Sequence, residues 1–116
     1  MRSLFHPAAE DITVEGILHA LADPVRAQIY AGIASSDSSL SCSNFLRVNE
    51  RNIPKSTLSQ HFRILREAGL IRSERVGVEM QNASRCADIN ERFPGLLGAI
   101  LAAHKVQMTG MPGKKK

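Results

Sequence analysis

At 116 residues the chain is sized for a single domain, and 43% hydrophobic with 22% charged residues is the composition of an ordinary globular protein. No apolar run reaches bilayer-spanning length, no signal-peptide pattern opens the chain, and two cysteines are too few for a disulfide framework; membrane and secreted classes are set aside, and a cytoplasmic protein is expected. Lys114, Lys115 and Lys116 supply three charges of the net +4, so the body is close to neutral, with its positive excess in residues 54–86.

Residues 1–10 lack periodicity and read as an N-terminal arm, residues 11–108 as the folded domain, and residues 109–116 as a basic, disordered tail. Over 11–22, Val14, Ile17, Leu18 and Leu21 recur at helical spacing and predict a first helix. Asp23-Pro24 then marks a new start, because Asp caps and Pro suits a first helical position whose N–H has no partner anyway. Val25, Ile29 and Ile33 are the buried stripe of this second helix, which ends in the serine-rich run 35–39. A third helix is predicted from Ser41, with Leu40 and Phe45 as a hydrophobic staple and Cys42, Phe45 and Leu46 on one face. Residues 49–52 turn the chain into a fourth.

That fourth helix, within residues 53–71, organises the rest. Leu58, Phe62 and Leu65 fall within about 60° of arc, flanked by Thr57, His61, Ile64 and Ala68. Ser56, Ser59, Gln60, Arg63 and Glu67 face the other way. Gln and Arg offer paired hydrogen-bonding groups to base edges in a major groove, while Ser and Lys (here Lys55) hold phosphates. Gly69 supplies the left-handed residue of a Schellman stop, with Leu70 folding back toward Leu65. Two helices joined by a short turn, the second with a polar outer face, form a helix-turn-helix.

Beyond Gly69 the period switches to two. Residues 70–75 and 79–86 flank Val76-Gly77-Val78 and predict a hairpin, the wing, whose Arg72, Arg75 and Arg85 are placed to reach flanking phosphates. A last helix follows in two pieces, broken at Phe93-Pro94-Gly95. Its Leu96, Leu97, Ile100, Leu101, His104 and Met108 share an arc of about 140°. An apolar stripe that wide on a small domain marks an interface. The fold class is therefore mainly α with a small β-hairpin wing: four helices with the fourth for recognition, two strands and a fifth helix.

In this order the segments resemble the ArsR family of bacterial winged-helix transcriptional repressors. Two blocks carry the resemblance, Ala20-Leu21-Ala22-Asp23-Pro24-Val25-Arg26 and the run from Ser56 to Ile71. It implies a homodimer built by the first and last helices, which assigns Leu18, Leu97, Ile100, Leu101 and His104 to the interface. It also implies repression at a palindromic double-stranded DNA operator, relieved by an inducer that the sequence does not name. Ser56, Thr57, Ser59, Gln60, His61 and Arg63 become the DNA-facing positions, although helical geometry favours Ser56, Ser59, Gln60 and Arg63 and leaves Thr57 and His61 on the apolar flank.

The chain departs from the family pattern in several places. The turn before the recognition helix is about two residues longer, Pro54 stands where a capping Ser or Thr is usual, and Val78 replaces a basic residue after the wing glycine. The family's metal sites are also missing. Cys42 stands between serines, and a single thiolate does not hold a soft metal ion; His104 stands alone on its helix, and His6 and His19 complete no ligand set. No metal and no cofactor is expected. Two other readings stay open. A thiol-based redox response through Cys42 and Cys86 would require their Cα atoms to come within about 7 Å, and the modest charge with its reduced wing would also suit a protein-interaction module. No nucleophile–base pair, carboxylate pair or phosphate-binding loop suggests an enzyme.

Overall fold

Helix α2 (Pro24–Ala34) is the hub, packing against α1 (Val14–Leu21), α3 (Lys55–Glu67), the second strand of the wing and the last helix α5 (Leu96–Thr109). The computed structural model describes residues 4–35, 40–41, 47–48 and 51–109. Its helices begin for local reasons. Thr13 caps α1 by accepting from Gly16 N at 3.0 Å, and Asp23 caps α2 by accepting from Val25 N at 2.8 Å and Arg26 N at 3.1 Å, with Pro24 at the first position. α3 starts on Pro54 with no side-chain cap, so proline's fixed φ alone sets its entry.

Three short strands precede α3. β1 (Leu40–Ser41) pairs antiparallel with β5 (Glu79–Ser84), and β2 (Arg47–Val48) pairs with β3 (Arg51–Asn52). Ser41, expected to cap a third helix, is instead the strand partner of Gln81. Cys42, Phe45 and Leu46 lie outside the described residues, as do the serine run 36–39 and the tail 110–116. The hairpin is as expected: β4 (Ile71–Val76) and β5 run from Ile71 opposite Ser84 to Val76 opposite Glu79, and Gly77 turns the chain at φ +64°. The closing helix is also in two pieces, α4 (Cys86–Arg92) and α5, although the first begins at Cys86 rather than near Asn90.

The core joins the five helices and β4. Ile17, Ala20 and Leu21 of α1, Ile29, Tyr30 and Ile33 of α2, Leu58, Phe62 and Leu65 of α3, and Leu70, Ile71, Ile89 and Leu97 beyond it are all buried. Burying one such aliphatic or aromatic side chain stabilises the fold by about 1.5–3 kcal/mol. Tyr30 carries a polar tip into this core and bonds Ser84 Oγ at 2.8 Å; burial pushes its pKa up to about 12.

The exit from α3 is fixed twice over. Gly69 N donates to Arg66 O and Leu70 N to Leu65 O, both at 3.0 Å, which is the Schellman pattern with Gly69 at φ +87°. A Cβ built on Gly69 would also lie 2.5 Å from Ile12 Cγ1. Gly69→Ala therefore incurs both left-handed strain and a collision with a buried side chain. Chemical denaturation should show it destabilised by about 2 kcal/mol or more; a change below about 0.5 kcal/mol would contradict this packing.

Candidate nucleic-acid interface

α3 is held by its apolar seam, and its opposite face is open. Leu58 and Phe62 are each 2% exposed and Leu65 is fully buried. Lys55, Ser56, Thr57, Ser59, Gln60 and Arg63 are all exposed, so six of the expected DNA-facing residues share one uncovered surface. His61 differs. It is half-buried, with Nδ1 3.5 Å from Arg26 Nη1, and burial, partly opposed by Asp23 and reinforced by Arg26, lowers its pKa.

Arg26 explains why the Asp23-Pro24-Val25-Arg26 block matters. Its Nε donates to Ala20 O at 2.7 Å and its Nη2 to His19 O at 3.4 Å, covering carbonyls at the end of α1, while Asp23 lies 3.9 Å away. One guanidinium thus joins the α1 terminus, the α2 start and His61 of α3. Periodicity carries no sign of this, since the signal is a lone Arg three residues after a capping Asp.

Arg63 Nε meets Glu67 Oε2 at 3.3 Å on the open face. An exposed pair of this kind is worth under about 1 kcal/mol, so Arg63 can exchange Glu67 for another anion at little cost.

The wing is tied to α3 by buried polar groups. Arg66 Nη1 donates to Ser73 Oγ at 3.3 Å, and Ser73 Oγ donates to Asn82 Oδ1 at 2.7 Å. Asn82, fully buried in a strand with weak β propensity, therefore has a hydrogen-bonding reason to be there. Arg72 and Arg75 are exposed on opposite faces of β4, as their odd spacing requires. Arg85, expected to reach phosphates, does not: it is 6% exposed, donates from Nε and Nη2 to Asp88 Oδ2, and donates from Nη1 to Pro7 O at 2.8 Å. The wing tip is apolar, with Val76 54% and Val78 94% exposed between Glu74 and Glu79.

The expected arm is in fact docked from Leu4 onward. His6 Nε2 accepts from Ser73 N at 3.0 Å, Arg92 Nη1 donates to Ala9 O at 2.9 Å and also to Ile12 O, and Ile12 is buried over Gly69. This strap joins the wing root, the end of α3 and α4. The signals that could have found it are Arg85 and Arg92, whose guanidinium groups need acceptors.

The residues assigned to a dimer interface divide. Leu18 is 49% exposed, but Leu97 is 3% exposed and belongs to the protomer's own core, which corrects its assignment. Ile100 and Leu101 are half-buried against that core, and His104 is also half-buried. The reason is helical phase: positions 97, 101 and 104 repeat on the side of α5 that packs on α2, so part of the stripe is used within the protomer. Cys86 is a free, half-buried thiol at the start of α4, and Cys42 lies outside the described residues. Among the described residues no group of three or more His, Cys, Asp or Glu side chains is placed to hold a metal ion, and no helix is long and apolar enough to cross a membrane.

Residues 21–74, from the end of α1 through α3 into β4, match a family model described as a helix-turn-helix domain. An ArsR-like transcriptional regulator from Rhodococcus sp. RHA1 superposes with a TM-score of 0.54 at 23% identity, covering 84% of this chain and 93% of that one. A second solved structure, of an ArsR family transcriptional regulator, gives a TM-score of 0.58 at 20% identity over 84% of this chain and 98% of the other. No curated protein sequence matches the chain.

The strap makes stability depend on pH. Burial, and then the charges of Arg72, Arg66 and Arg85, hold the His6 pKa below the usual histidine value of 6.5. A base whose folded pKa is depressed contributes its full stability above the unfolded pKa and loses it as pH falls through the folded value. Denaturation midpoints should drop from neutral pH toward about pH 5.5, and less so in His6→Gln, which retains an acceptor without titrating. Identical pH profiles for the two proteins would contradict the role given to His6.

Proposed function

We propose that this chain, an ArsR-like winged helix-turn-helix protein, is a sequence-specific DNA-binding transcriptional regulator that acts as a homodimeric repressor on a palindromic operator. The observation that carries the reading is the open face of α3, where Ser56, Ser59, Gln60 and Arg63 are exposed while the opposite seam is buried. In the proposed complex α3 lies in the major groove. Gln60 and Arg63 read base edges, Arg63 exchanging Glu67 for a guanine edge, and Lys55, Ser56, Thr57 and Ser59 hold phosphates. His61 acts from the flank, steadied by Arg26, and Arg75 on the wing adds a phosphate contact.

Dimerisation is supported by the exposed apolar side chains left on the two helices concerned, Leu18 on α1 and Val106 and Met108 on α5. Two-fold symmetry in the protein then demands two-fold symmetry in the site. A second reading, a winged-helix module that binds protein, is favoured by one observation: the wing tip offers Val76 and Val78 between acids where a phosphate contact would want a base.

Selection from a random duplex pool separates the two. The repressor reading predicts an enriched palindrome bound with affinity that falls steeply between about 50 and 200 mM salt. On that site Gln60→Ala and Arg63→Ala should each cost about 1–3 kcal/mol and relax base preference. A pool that yields no enriched sequence at low salt, or variants that bind the selected site as tightly as the parent, would contradict the assignment.

A further inference from the structure

Arg26 approaches His61 with a group that can only donate. Its side chain is 12% exposed and all three of its nitrogens are engaged: Nε donates to Ala20 O at 2.7 Å, Nη2 donates to His19 O at 3.4 Å, and Nη1 lies 3.5 Å from His61 Nδ1. A guanidinium has five N–H groups and no acceptor. In this contact Nδ1 must therefore accept, bare of hydrogen, and a neutral ring then carries its proton on Nε2. A ring turned over would set a C–H against the same cation, and a protonated ring would set N–H against N–H. Burial also disfavours charge on the ring. Of the charged groups that face it, Asp23 opposes this effect and Arg26 reinforces it, while α1 meets the site with the carbonyls of Ala20 and His19.

His61 lies half-buried on the flank of α3, between the buried seam and the open face. We propose, on the strength of the DNA-binding reading, that Arg26 is a positioning residue acting through His61: it holds the imidazole neutral with its proton on Nε2, so that His61 meets DNA as an uncharged hydrogen-bond donor to a phosphate oxygen. The flank of a helix lying in a groove faces the phosphate walls, and phosphate oxygens accept from neutral side chains as well as from cations. A neutral donor adds a hydrogen bond without displacing a counterion, which sets it apart from Lys or Arg at the same place.

Titration of the free full-length protein, followed by NMR of the His61 ring, tests the Arg26 link. The neutral parent should show Nδ1 bare and Nε2 protonated. Arg26→Met keeps the stem and removes the donors, and should raise the His61 midpoint by about half a pH unit or more. On the selected duplex, His61→Leu should weaken binding about fivefold or more with no change in the slope of log affinity against log salt. His61→Gln, whose amide nitrogen stands in for Nε2, should stay within about twofold of the parent. A proton on Nδ1 in the parent, or a midpoint that Arg26→Met leaves unmoved, would overturn the proposal. So would a His61→Leu slope shallower by about one, which marks a lost cation, or an affinity that His61→Leu leaves unaltered. The parent spectrum and the two His61 variants decide the matter if Arg26→Met does not fold. Because the titration needs no DNA, failure of the Arg26 link is seen apart from failure of the DNA-binding reading, which shows as a pool without an enriched sequence.

Discussion

The burial of Leu58, Phe62 and Leu65 is the constraint on which the rest of the structure depends. A helix of thirteen residues is marginal alone, and most of its stability comes from the face it packs. Holding α3 by that seam exposes the opposite side, and at 3.6 residues per turn this side must consist of Ser56, Ser59, Gln60 and Arg63. The helix phase therefore sets both the core and the candidate reading face. A shift of one residue in the seam would bury Ser59 and Arg63, or Thr57 and His61, and turn Leu58 toward water.

Around this seam the structure adds fixings that rely on hydrogen bonds rather than area. Arg26 holds the carbonyls of Ala20 and His19 and steadies His61; Arg66 reaches Ser73 and, through it, Asn82; Arg85 and Arg92 hold the backbone of Pro7, Ala9 and Ile12. Each links two elements that a small core alone would join loosely, and charged donors make the stronger bonds. The consequence for function lies in geometry. Wing and α3 are braced to one another at their root, so any partner that spans both meets them at a fixed mutual angle.

Much of this was legible in residues with strong local preferences. Asp23-Pro24 marked a helix start, Gly69 a left-handed stop and Gly77 the hairpin turn, and each sits where its backbone chemistry demands. The exposed face of α3 was legible because the spacing of Leu58, Phe62 and Leu65 leaves one solution. Other features were not legible, for physical reasons. The strap from Leu4 to Ile12 is held mainly by backbone carbonyls, which carry no side-chain pattern. Leu97 was assigned to a partner because a stripe shows that a face is covered without showing by what, and the protomer's own core covers it. Arg85 looked like a phosphate ligand by type alone, whereas Asp88 three residues on and the carbonyl of Pro7 claim it.

The central claim is that the uncovered side of α3 is the surface that meets DNA. Amide NMR of the protein titrated with a selected palindromic duplex tests it most directly. The account predicts that the largest perturbations fall on residues 55–63, with a smaller set on the wing, and that they fade as salt is raised. Perturbations concentrated on α5 or the wing tip, with residues 55–63 unmoved at low salt, would contradict it.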